Sequence, residues 1–210
     1  MRVIDTIQGT PEWQSCRAGV FTASRTKPLM ANLKSGKPSA GRATLIGEMV
    51  VQRLTGTIEQ GFTSSHMLRG IELEATARDA YAFHTGTSPV EVGFCLHDEF
   101  DYIGASPDGV MEDGLVEIKC PTSHKHITYL SEQKHGNEYY NQVQHQMLVT
   151  GKHWTDVCSF DDRFPDHLQL AITRVMADSE YQDRLIAEIQ KAHIEIEQTI
   201  IKLNQPQGDT

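Results

Sequence analysis

Ser106-Pro107-Asp108-Gly109, followed by Leu115-Val116-Glu117-Ile118-Lys119-Cys120-Pro121, is the stretch on which the fold of this chain turns. Side chains alternate along a strand, so Glu117 and Lys119 share one face while Ile118 points into the opposite layer. Leu115 and Val116 mark that strand as buried. Between the two quoted pieces, Met111-Glu112-Asp113-Gly114 ends in an Asp-Gly pair, a turn signal that returns the chain and brings Asp108 alongside Glu117. Two acids in one cleft repel each other, and a hard divalent cation relieves the repulsion. Mg²⁺ takes one or two carboxylates and completes its shell with waters and phosphate oxygens. Lys119 lies inside the apolar run Leu115 to Cys120, where an ammonium is costly to bury without an anion. A structural ion pair would explain Glu117 and Lys119, but it would not need Asp108.

Outward from this hairpin the order of elements is α/β, without repeats or linkers. Thr22 to Met30 reads as a helix capped by Thr22 or Ser24, with Pro28 limiting its regularity. Ala43 to Leu54 carries Leu45, Ile46, Met49, Val50 and Leu54 at helical spacing, with Gly56 just past its end. Met67 to Phe83 is a further helix, with Leu68, Ile71, Ala75 and Ala82 expected inside and Glu74 on its length. Val90 to Leu96 and Asp101 to Ala105 read as strands ahead of the Leu115 to Cys120 strand. A helix from about Glu138 to Val149 follows, then strands Trp154 to Phe160 and Leu168 to Val175. Asp178 to Leu203, with Leu185, Ile189, Ile196 and Ile200, is a long amphipathic helix. No second domain is visible, so residues 1–210 are expected to form one.

Composition bounds the reading. A chain of 210 residues with 39% hydrophobic content suffices for one substantial core. Cys16, Cys95, Cys120 and Cys158 are widely separated, unlike a zinc site or a disulfide scaffold, and fit a reduced cytoplasm. The start, Met1-Arg2-Val3-Ile4-Asp5, has no apolar signal core, and no apolar run approaches the ~20 residues that span a bilayer, so no membrane partner is expected. A net charge of -9 argues superficially against nucleic acid. Its distribution argues otherwise: Arg17, Arg25, Lys27, Lys34, Lys37 and Arg42 fall in a stretch without an acid, giving a basic N-terminal face. The ten histidines show no ligand spacing.

Pro107-Asp108 with Glu117-Ile118-Lys119 resembles the PD-(D/E)XK nuclease core. Three more blocks are similar to one branch of that superfamily, the phage lambda exonuclease type of viral recombination nuclease. They are Trp13, Arg17, Gly19, Val20, Thr22, Ala23 and Ser24; Gly70 to Arg78 with Glu74; and Tyr139 to Thr150 with Gln142-Val143-Gln144. In order and at similar spacing, the blocks span about two thirds of the chain.

The resemblance implies a central mixed β-sheet flanked by helices. It also implies 5′-to-3′ digestion of double-stranded DNA ends, giving mononucleotides and a 3′ overhang, by ring-shaped homotrimers working beside a single-strand annealing protein. Enclosure by a ring would let an acidic protein stay on DNA. In that picture Asp108, Glu117 and the Ile118 carbonyl bind Mg²⁺, with Mn²⁺ a substitute and two ions expected. Lys119 orients the water or stabilises developing charge, and burial together with the adjacent cation is expected to favour its neutral, proton-accepting form. Glu74 completes the acids, although Glu74 and Arg78 stand at the spacing of an ordinary surface ion pair. Gln144 is the catalytic candidate among Gln142, Gln144 and Gln146, which one helix cannot aim the same way. Arg17 and Ser24 hold a 5′ phosphate, helped by a helix N-terminus, and Lys34 and Lys37 lie in a loop near the one that reaches DNA in the family. Three rivals stand beside this reading: an internally cutting PD-(D/E)XK endonuclease, a DNA-binding protein without catalysis, and an enzyme using its acids as a general acid and base pair.

Overall fold

A computed structural model describes residues 1–31, 39–59, 61 and 64–205. The chain runs β1 (Arg2–Ile4), α1 (Pro11–Arg17), β2 (Phe21–Thr22), α2 (Lys27–Met30), α3 (Ala40–Thr55), α4 (Ser65–Thr85), β3 (Phe94–Leu96) and β4 (Ile103–Ala105). It continues through β5 (Gly109–Val110), β6 (Gly114–Lys119), α5 (Ser123–Glu132), α6 (His135–Glu138), α7 (Tyr140–Thr150), β7 (Trp154–Phe160), β8 (Leu170–Met176) and α8 (Ser179–Leu203). The expected mixed sheet is present as two four-stranded sheets, ordered β1-β3-β4-β2 and β5-β6-β7-β8. The first has one parallel pair, β2 with β4. In the second, β6 runs parallel to β7, with Glu117 opposite Val157, while β5 and β8 pair antiparallel outside them.

Strand alternation sorts β6 into two layers. Val116 and Ile118 pack with Ala77 and Tyr81 of α4, and with Cys158 and Phe160. Leu115 packs on the other face with Val143 and Met147 of α7. Parallel neighbours need a crossover, and α5 to α7 supply it, leaving α7 beneath the face that carries Glu117 and Lys119. A third cluster joins β2 and β4 to α3 and α8, in which Leu185, Ile189, Ala192 and Ile196 are all fully buried. The apolar face of α8 is thus spent within its own chain. Among the described residues no helix is long and apolar enough to cross a membrane.

Several expectations need correction. No helix begins at Thr22 or Ser24; Phe21–Thr22 is a strand, and only Lys27–Met30 is helical, because Pro28 fits a first turn and not an interior one. α4 buries Ala77 and Tyr81, whereas Leu68 and Ile71 are exposed; its inner face was hidden because it carries polar groups such as the Tyr81 hydroxyl, which donates to Asp156 at 2.9 Å. The basic N-terminal stretch is partly neutralised, since Arg25 pairs with Glu48 and Arg42 with Glu195. Lys34 and Lys37 lie outside the described residues.

Gly114 opens β6 after the turn, and its contribution is close approach. A Cβ there would lie 2.3 Å from the Trp154 ring, which Arg174 covers from above at 3.6 Å. Gly114→Ala should therefore destabilise the fold by ~1–3 kcal/mol through overpacking, read as a lowered midpoint in urea.

Candidate active site

Asp108, Glu117, Lys119, Gln142 and Gln146 line one cavity of about 180 Å³ together with Arg17, Ser24 and Trp13. Asp108 precedes the short β5, and its carboxylate accepts the Ile118 N–H at 2.6 Å. A strand residue turns its N–H and carbonyl toward the same neighbour, so the Ile118 carbonyl also lies on the Asp108 side. Glu117 is 1% exposed. Gln142 and Gln146, one turn apart on α7, donate to its two oxygens at 2.5 Å each, and Lys119 donates to Oε1 as well. Glu74 reaches this neighbourhood from α4 and pairs with Arg78 at 2.7 Å.

The acids feel one another. Burial raises the pKa of Asp108 well above the usual carboxylate range; Glu117 and Glu74 add to the rise, and Lys119 opposes it. Glu74 is raised chiefly by burial, with Arg78 pulling the other way. In the metal-free protein burial lowers the pKa of Lys119, but Glu117 and Asp108 outweigh burial and raise it.

Gln144 is not part of the site. Its Nε2 donates to the Met176 carbonyl at 2.7 Å, and its Oε1 accepts from the Asp178 N–H at 2.9 Å and from Gln182 at 3.1 Å. Two residues from Gln142, it faces the other side of α7 and ties the β8–α8 corner. The spacing Gln142 to Gln146, which puts both on one helix face, was the signal for the residues that do grip Glu117.

Arg17 and Ser24 do reach the cavity, by a route the sequence did not disclose. Thr10-Pro11-Glu12 begins α1, with the Thr10 hydroxyl accepting from the Trp13 N–H at 3.3 Å. Trp13 then donates from its indole to the Ser106 hydroxyl at 2.9 Å, two residues before Asp108, and Arg17 stacks on the Trp13 ring at 3.7 Å. Burial, and then Arg25, push the Arg17 pKa down to about 10. Its Nε is buried without a partner. A cation so placed suits an anion. Ser24 is exposed and caps no helix, and α2 is too short and too late to lend it a dipole.

Among the described residues no three side chains of His, Cys, Asp and Glu gather closely enough to cage a metal by themselves. Mg²⁺ asks for less: two carboxylates and a carbonyl, with the remaining positions left to water and substrate. The repelling pair Asp108 and Glu117 beside the Ile118 carbonyl fits that demand. Asp108→Asn should raise the melting temperature of the metal-free protein by about 2–4 °C, the worth of ~1 kcal/mol in a chain of this size. Because the folded-state pKa is raised, the charge costs stability above the unfolded pKa. The gain should be largest at alkaline pH and shrink as the pH falls toward the unfolded pKa of an aspartate, roughly 3.9. Millimolar Mg²⁺ should stabilise the parent protein and not the variant in the same melts.

A family model described as a YqaJ-like viral recombinase domain matches residues 12–153, which include the residues lining this cavity except Gln8. The crystal structure of an alkaline exonuclease from Laribacter hongkongensis matches with a TM-score of 0.84 at 39% sequence identity, covering 92% of this chain and 96% of that one. The same protein in complex with dAMP gives the same values, 0.84 and 39%. A phage-related exonuclease from Haemophilus somnus 129PT shares the fold at a TM-score of 0.73 and 15% identity, with 88% and 96% of the two chains covered. No curated protein matches. The chain belongs to the YqaJ-like viral recombinase family and has the PD-(D/E)XK fold of the lambda exonuclease type.

Proposed function

We propose that this protein is a metal-dependent deoxyribonuclease that digests double-stranded DNA from 5′ ends, releasing 5′ mononucleotides and leaving a 3′ overhang for strand annealing. The observation that carries this reading is the shared cavity: acids suited to a divalent ion lie within the same ~180 Å³ as a buried, incompletely bonded arginine. A metal site alone would serve internal cutting. An anion holder at its side suits a chain end, because a terminal phosphate carries more charge and more free oxygens than a diester. The relative at 39% identity is an alkaline exonuclease, and its complex holds a mononucleotide, dAMP, which supports the reading.

Asp108, Glu117 and the Ile118 carbonyl would hold Mg²⁺, or Mn²⁺ in its place, as one or two ions, whose chemistry when bound is Lewis-acid polarisation of the phosphoryl group. Gln142 and Gln146 keep the Glu117 carboxylate in one orientation. Lys119, protonated, points an attacking water and offsets charge that builds on the phosphate. Glu74, with its raised pKa, accepts from that water. Arg17 and Ser24 take the terminal phosphate, and the Trp13 ring sets the plane of the guanidinium. A homotrimeric ring and a single-strand annealing partner belong to the proposal by family resemblance.

Linear duplex labelled at either the 5′ or the 3′ end, with Mg²⁺ or with chelator, beside closed circular plasmid, tests it. Nucleotide release from 5′ ends alone, dependent on metal, with circles intact, is expected. Cut circles would establish an endonuclease, and tight duplex binding without cleavage would establish a DNA-binding remnant. In the same assay Lys119→Ala should lose about 10²-fold or more in rate while duplex affinity stays within about twofold. Arg17→Ala should lower the preference for 5′-phosphorylated over 5′-hydroxyl duplex by about tenfold, the worth of one charge-assisted contact. An unchanged preference would remove Arg17 from that role.

A further inference from the structure

Glu74 and Arg78 stand one turn apart on α4, and in an exposed helix such a pair is worth a few tenths of a kcal/mol. Here the arginine does more than pair with its neighbour. Its side chain is 12% exposed, and its Nε donates to the Asp108 backbone carbonyl at 3.0 Å while Nη2 donates to Glu74 at 2.7 Å. Nη1 takes Glu91, an exposed residue on the segment leading to β3. A guanidinium is a rigid plane with its donors in a fixed fork, so partners bonded to different nitrogens are held in one geometry. A lysine ammonium in the same place is a single centre on a flexible stem and cannot fix several partners in one plane.

Asp108 is consequently held from two sides. The Ile118 N–H of β6 takes its carboxylate at 2.6 Å, and Arg78 of α4 takes its main chain. The helix that carries Arg78 is itself fixed to the sheet, with Ala77 buried beside it and the Tyr81 hydroxyl bonded to Asp156. We infer that Arg78 is the positioning residue of this site, one guanidinium that sets the Asp108 loop against Glu74 and so fixes where the metal-binding acid stands relative to the water-holding one. The inference rests on the nuclease reading above. It adds a residue that touches neither phosphate nor metal, and it gives the pair on α4 a reason beyond surface charge.

Arg78→Lys keeps the charge and loses the fork; Arg78→Gln keeps one donor and loses the charge. Each is compared with the parent protein in two measurements: Mn²⁺ binding to DNA-free protein by calorimetry, and steady-state digestion of linear duplex. If Arg78 positions the site, both folded variants bind Mn²⁺ about tenfold more weakly or worse, and kcat falls by a similar or larger factor, as for the loss of an outer partner of a metal ligand. KM for duplex stays within about threefold, because Arg78 makes no DNA contact in this scheme. Arg78→Lys with parental Mn²⁺ affinity and parental kcat overturns the inference, as does failure of both variants to fold, which would make Arg78 a scaffold residue. A parent protein that cuts no DNA overturns the nuclease reading itself, a result separable from either of these.

Discussion

A carboxylate at 1% exposure in the middle of a strand is the constraint around which the molecule is arranged. Left alone, Glu117 would destabilise its surroundings, since an unpaired buried charge costs several kcal/mol. It is satisfied by two amides and an ammonium, and these come from different levels of structure. Lys119 is supplied by strand periodicity, two residues along the same face. Gln142 and Gln146 are supplied by helix periodicity, and they meet Glu117 only if α7 lies under β6 in one register. The crossover that makes β6 and β7 parallel is what puts α7 there.

The remaining acids are less well provided for, and that is informative. Asp108 has one backbone donor, and its pKa is raised by burial and by its neighbours. Fold stability alone would replace it with a neutral residue. An acid retained at a cost, on the side to which Ile118 turns its carbonyl, is one whose charge a bound cation would offset. The Trp13 to Ser106 hydrogen bond extends the same arrangement to the N-terminal segment, so Arg17 is registered on the loop that carries Asp108.

What the sequence disclosed follows the range of the forces involved. Asp108, the turn and Glu117-Ile118-Lys119 were legible because turn chemistry and strand alternation act over a few residues. Strand β7, expected from Trp154 to Phe160, has those bounds, and α8 buries Leu185, Ile189 and Ile196 as its spacing implied. The interior face of α4 was not legible, because Leu68 and Ile71 are apolar and exposed whereas Tyr81 is polar-tipped and buried. The same holds for α5, whose buried positions are His126 and Tyr129. Neither residue announces an interior, and His126 is accommodated only because Ser159 and the Leu168 carbonyl meet its two nitrogens. The choice of Gln144 failed on register alone. Partners remote in sequence, such as Glu48 for Arg25 and Glu195 for Arg42, leave no local trace.

The order in which the site's parts leave the ribosome has a consequence of its own. Arg17, Glu74, Asp108 and Glu117 are made early, but Glu117 has no amide partners until α7 has been made, and β6 has no inner neighbour until β7 follows at Trp154–Phe160. Until then nothing would offset the burial of Glu117 and Asp108, so the cleft has no reason to close. The growing polypeptide carries the acids as solvated side chains, and the cavity they line is completed only with the parallel strand that locks the sheet.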